Sequence, residues 1–163
     1  LIEIGCGYGQ LLNYINKKKI TNDCIGIDIS RAPIEKAKKL YPNLKFYTNT
    51  ADNFEEYTSN KKLIFVFKST LECFTILEIN QFIDNCIKVS NELFLIIREP
   101  SNIDNQKVFD SKMRCNINYS HNYKRILEKR GFKIILYNEE RIDNYNLNYN
   151  VIKLFCSFNK TNN

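Results

Sequence analysis

The chain holds one histidine, three prolines and five glycines in 163 residues, and it does not begin with methionine. A lone histidine, with no CxxC pair and no Cys/His cluster, provides no close ligand spacing of the kind a zinc site needs, so no metal is expected. No apolar stretch is long enough to span a bilayer and no signal peptide is visible, which predicts a cytoplasmic protein with no membrane partner. The start at Leu1, already inside an apolar run, predicts further sequence upstream that could carry a secretion signal or a substrate lid. A long basic stripe interleaved with aromatics is also missing. Much of the net charge of +6 is scattered lysine, as at 17–19, 38–39 and 61–62. Lysines near helix C-termini suit the helix dipole, so nucleic acid is a conceivable partner but not the favoured one.

What is present suffices for one domain, 1–163, with 44% hydrophobic residues to build a core. Six cysteines, at 6, 24, 73, 86, 115 and 156, are widely spaced, and several fall in apolar runs. They read as small buried hydrophobes in a reducing compartment.

Three of the five glycines crowd into one segment, Glu3-Ile4-Gly5-Cys6-Gly7-Tyr8-Gly9-Gln10, directly after an apolar run. Alternate glycines after a strand permit a tight turn and close approach of backbone to a ligand. A second apolar run, Ile25-Gly26-Ile27, ends at Asp28, where a carboxylate is placed to accept from both hydroxyls of a ribose. The pair points to a nucleoside-bearing cofactor.

Strands are expected at Leu1–Ile4, Cys24–Asp28, Lys45–Thr48, Leu63–Phe67 and Leu93–Ile97. They alternate with helices near Gly9–Lys18, Arg31–Leu40 (Ser30 as N-cap) and Leu77–Ser90. Ser101–Asn118 is polar and without periodicity, so it reads as a lid or an insertion. A helix near Asn122–Arg130 ends at Gly131, and Phe132–Tyr137 and Val151–Phe158 follow as an antiparallel pair joined by a polar connection. Alternation of this kind implies a mostly parallel sheet with helices on both faces and ligands beyond the strand C-terminal ends. Gly5 to Gly9, Asp28 and Asp52 all fall at such ends.

These landmarks, with Lys68-Ser69-Thr70-Leu71-Glu72-Cys73 and the pair after Gly131-Phe132, resemble the class I S-adenosylmethionine-dependent methyltransferases. The resemblance implies an α/β, Rossmann-like fold: a seven-stranded, mostly parallel sheet with an antiparallel last strand. The cofactor-binding half would lie at about 1–75 and the substrate side at 76–163. It also implies S-adenosylmethionine as cofactor. The backbone of Gly5, Cys6, Gly7 and Gly9 would pass under its methionine and ribose, Glu3 would orient the loop and the ammonium, and Asp28 would hold the ribose hydroxyls. Ile29 would pack on adenine, Asp52 would accept from its amino group, and Asn53 would offer a backbone amide to the ring. The main chain at Lys68 would face the methionine end. Cys73 stands where many members carry histidine, a departure that argues against the acid/base role the resemblance would otherwise imply there.

No catalytic base is evident. Methyl transfer from a sulfonium is an in-line displacement of an activated leaving group, so a triad is not required. The Asn/Asp-Pro-Pro-Tyr/Phe run of base and glutamine amide methylation is absent, as is the Pro-Cys of cytosine C5 chemistry. A small-molecule acceptor is favoured. A nicotinamide-dependent oxidoreductase is the first alternative, weakened by Gln10 where its fingerprint needs glycine; a non-catalytic scaffold of this fold is the second. Several residues carry two readings. Glu72 is a solvated acid or a substrate contact. His121 is a surface residue near a helix cap or a base at the pocket rim. Arg98-Glu99 faces substrate or forms a surface ion pair. Tyr137, Tyr145 and Tyr149 pack around the final strands.

Overall fold

A computed structural model describes residues 1–58, 62–101, 111–115, 118–144 and 147–160. Seven strands form one sheet: β1 (Ile2–Ile4), β2 (Ile25–Asp28), β3 (Lys45–Thr48), β4 (Lys62–Lys68), β5 (Glu92–Ser101), β8 (Lys133–Asn144) and β9 (Leu147–Asn159). Their order is β3-β2-β1-β4-β5-β9-β8. β1 to β5 pair in parallel, and β9 runs antiparallel to both β5 and β8. β6 (Ser111–Cys115) and β7 (Asn118–His121) form a separate antiparallel pair.

Alternation along the strands divides the molecule into two cores. On one face Ile2, Ile4, Phe65 and Phe67 meet α3 (Ile76–Val89), α4 (Tyr123–Glu128) and the 3₁₀ segment Ala51–Tyr57. Phe82 of α3 is 1% exposed, with Phe54, Phe65 and Phe67 edge-on around it at 5.0 to 5.8 Å between neighbouring ring centroids. Burial of such a ring contributes about 2 kcal/mol, and edge-on contacts add to it. On the other face Leu12 and Ile15 of α1 (Gln10–Lys17) and Ile34 and Ala37 of α2 (Arg31–Leu40) pack with Cys6, Cys24 and Phe46. Cys6, Cys24, Cys86 and Cys156 are buried free thiols, whereas Cys73 is exposed.

Three expectations change. Part of the polar stretch is regular strand: residues 111–115 form β6 and residue 118 opens β7, while 102–110 and 116–117 lie outside the described residues. Most of the connection between the last two strands is itself strand: β8 and β9 pair from Lys133↔Ser157 to Asn144↔Leu147 with one register shift between Ile134 and Leu136, and residues 145–146 lie outside the described residues. Ser30 holds the N-cap position of α2 without a side-chain cap. Asp28 Oδ1 accepts from its amide at 2.8 Å instead.

Candidate functional site

The strand order reverses between β1 and β4, and at this reversal the C-terminal ends of β1 to β4 open into a cavity of about 460 Å³. This is the place and size expected for a small-ligand site in an open parallel sheet. Gly5, Asp28, Ile29 and Asp52 line it, joined by Asn49, Thr50, Ser69, Thr70, Cys73, Phe74 and Glu78.

The glycine loop is built around left-handed backbone: φ is 69° at Gly5, 50° at Gly7 and 73° at Gly9. Its three positions serve different needs. A Cβ at Gly9 would stand 2.4 Å from the Phe46 ring, and one at Gly5 would stand 2.3 Å from Thr70 Oγ1. At Gly7 nothing lies within 4 Å, so space as well as backbone freedom is reserved there. Two of the three glycines are thus required by the protein's own packing, beyond any ligand.

Asp28 ties the loop to the cavity. Its Oδ2 accepts from the Gly7 amide at 2.9 Å while Oδ1 accepts from Ser30. An ionised carboxylate has about four acceptor sites, so capacity is left on both oxygens for two ligand hydroxyls. Ile29 stands on the rim with 73% of its surface exposed, an apolar side chain that no protein group covers. Asp52 stands in the first turn of the 3₁₀ segment, exposed and lining the cavity.

Glu3 sits beneath. Ile2 and Ile4 face one core, so alternation sends Glu3 to the α1 side, where it is 4% exposed and its Oε2 has no hydrogen-bond partner. Burial pushes its carboxyl up to about 8, opposed by Lys68 and the Leu12 amide and reinforced by Asp28. An orphaned buried carboxyl oxygen beside the glycine loop leaves an acceptor for a cationic group on a ligand, and such a group would draw the raised pKa back down.

The remaining expected residues stand back from the cavity. Cys6 is buried at 6%, its Sγ 2.7 Å from where a Gly26 Cβ would lie, and burial drives its thiol pKa upward. Asn53 is exposed, but its amide donates to the Thr50 carbonyl at 3.3 Å and its side chain to Asn49 Oδ1 at 2.7 Å, so both are occupied within the turn. Lys68 is exposed at the end of β4 and outside the lining.

Three readings of the substrate side are corrected. Glu72 is buried at 8%, not solvated, and its Oε2 accepts from the Asn118 side chain at 3.1 Å. Glu99 is fully buried, neither facing substrate nor in a surface pair, because β5 runs on past it to Ser101. His121 is fully buried, since the β6–β7 hairpin folds it over the Leu71–Cys73 turn; burial takes its pKa down to about 4. Tyr137 is 39% exposed and donates to Glu139 at 3.2 Å, Tyr145 lies outside the described residues, and the Tyr149 side chain is likewise not described. Sequence reasoning did not place Asn49, Thr50 or Thr70 in the site, though each lies within two residues of a strand end, which was the available signal.

The profile described as "Methyltransferase domain" matches residues 1–92. The chain belongs to that family. It is the class I, S-adenosylmethionine-dependent kind, and no comparison supports a nicotinamide oxidoreductase or a non-catalytic scaffold. A protein of Invertebrate iridescent virus 6 named as a methyltransferase is 44% identical over 46 residues, 28% of this chain and 17% of that protein. Among solved structures, a methyltransferase of Listeria monocytogenes superposes with a TM-score of 0.70 at 14% identity, covering 98% of this chain and 90% of its own. The plantazolicin methyltransferase BamL gives 0.67 at 18%, covering 98% and 76%. The magnesium protoporphyrin IX methyltransferase of Synechocystis PCC 6803 gives 0.61 at 16%, covering 96% and 68%. These likenesses show the fold. Among the described residues no helix of this methyltransferase domain is long and apolar enough to cross a membrane.

Proposed function

We propose that residues 1–163 act as one cytoplasmic domain that binds S-adenosylmethionine in the cavity at the ends of β1 to β4 and methylates a small-molecule acceptor. The observation that carries the reading is the convergence of Gly5, Asp28, Ile29 and Asp52 on one cavity at the strand-order reversal. Asp28 takes the ribose hydroxyls on its open acceptor sites, Ile29 covers one adenine face, and Asp52 accepts from the exocyclic amine. Space above Gly7 admits the ligand, and the orphaned Oε2 of Glu3 accepts from the ammonium, whose charge draws the raised carboxyl pKa back down. The cofactor supplies a methyl group on a good leaving group. The protein's task is to hold acceptor and cofactor in line and keep water out.

The small-molecule assignment is supported by the missing Pro-Pro-Tyr and Pro-Cys runs. Two fold neighbours are also named for acting on, or are bound to, small molecules. The test is a transfer assay with methyl-labelled cofactor against the metabolite, RNA and protein fractions of a cell extract. Label in the metabolite fraction supports the proposal. Label confined to RNA or protein overturns the acceptor class.

A further inference from the structure

The cavity wall formed by Thr70, Cys73 and Phe74 is fixed by groups that do not line the cavity. Behind it, the fully buried Glu99 carboxylate accepts from the Thr70 amide at 2.8 and 3.0 Å and from the Glu72 amide at 3.3 Å. His121, the last residue of β7, has Nε2 2.9 Å from the Phe74 carbonyl. Nε2 therefore carries the proton and donates, and the buried Nδ1 has no hydrogen-bond partner. In front, the Thr70 side chain occupies the space above Gly5. Ser69 at the head of the turn has φ 54°, a conformation that persists in a non-glycine residue only where the surroundings over-determine it. A buried carboxylate is costly unless it is hydrogen-bonded, and here its bonds go to backbone amides of the wall. One continuous line of contacts thus runs from β5 and the hairpin, through the turn, to the glycine loop.

We propose that Glu99 and His121 are positioning residues that hold the 69–74 turn against Gly5 as the wall at the methionine end of the cofactor site. The inference rests on the reading of that site given above. The cavity spans the ends of β2 and β3, with Asp28, Ile29 and Asp52, and the end of β4, with Ser69 and Thr70. Displacing the turn therefore disturbs one end of a bound ligand and spares the other.

The experiment compares two probes on the full chain, S-adenosylhomocysteine and 5′-methylthioadenosine, which lacks the amino-acid end. Affinities are read by calorimetry and ligand-observed NMR. His121→Phe removes the donor and keeps a ring, His121→Gln keeps an N–H donor, and Glu99→Gln turns an amide group toward backbone donors. His121→Phe and Glu99→Gln are expected to weaken S-adenosylhomocysteine by about tenfold, with methylthioadenosine changed less than about twofold and His121→Gln close to wild type. Equal loss for both probes, no loss for either, or failure of His121→Gln to restore affinity overturns the proposal. If the disruptive variants do not fold, amide exchange in the wild type decides. Protection of Thr70 and Glu72 rising with S-adenosylhomocysteine alone supports the proposal, and an equal rise with both probes contradicts it. A wild type that binds neither probe instead removes the cofactor reading on which the proposal stands.

Discussion

Three buried titratable groups, Glu3, Glu99 and His121, pull stability in opposite directions as pH changes. The Glu3 carboxyl rises from 4.5 to about 8 and that of Glu99 to about 7, both chiefly through burial. A raised carboxyl contributes stability that is complete below the unfolded value and is lost as pH climbs through the folded one. His121 goes the other way, from 6.5 to about 4, so its contribution is present above pH 6.5 and is lost toward pH 4. Urea unfolding from pH 4 to 9 is expected to show Glu3→Gln gaining more than about 1 kcal/mol over wild type at the alkaline end. His121→Gln should flatten the acid limb. The glycines separate similarly: Gly7→Ala should cost about 1 to 2 kcal/mol from backbone strain alone, and Gly9→Ala distinctly more, because Phe46 must also move. The placement of Gly5, Asp28 and Asp52 at strand ends was legible in the sequence because the apolar runs mark where each strand stops. Glu99 and His121 were not: a polar residue next to polar neighbours reads as surface, whereas β5 runs on past Glu99 and the return of β7 over the Leu71–Cys73 turn buries His121.

Elements whose polarity alternates with their burial were readable to within a residue or two. β3 lies at Lys45–Thr48 as expected, and α3 buries Ile79, Phe82, Ile83 and Cys86 at helical spacing. Its start is fixed by a capping box that the sequence reading did not find: Thr75 accepts from the Glu78 amide at 3.3 Å, and Glu78 returns to the Thr75 amide at 2.7 Å. Thr75→Ala should lower stability by about 1 kcal/mol, read from the shift in urea midpoint at unchanged slope. The distal halves of β8 and β9 were read as a connection because residues such as Asn138, Glu140 and Asn148 carry no apolar period. Their ladder of backbone bonds and the Lys153–Glu140 pair sustain strand without a core on both sides.

At the scale of the whole molecule, the order β3-β2-β1-β4-β5-β9-β8 places the cavity where two halves diverge. The alternation of strands and helices and the antiparallel close were enough to anticipate this. The wall formed by the 69–74 turn is tied to β7 by the contact between Glu72 and Asn118, distant in sequence, which no local pattern reveals. A ligand that binds only the folded state at about 100 times its Kd adds about 2.7 kcal/mol, which for a domain of this size raises Tm by roughly 5 to 10 °C. S-adenosylhomocysteine should produce that shift and NAD should not. The most direct measurement is a calorimetric titration of wild type and Asp28→Ala with S-adenosylhomocysteine. The account predicts one-to-one binding to wild type and a loss of about a hundredfold in the variant, the equivalent of two charge-assisted hydrogen bonds. Equal affinity in the two proteins, or no binding to wild type, would contradict it.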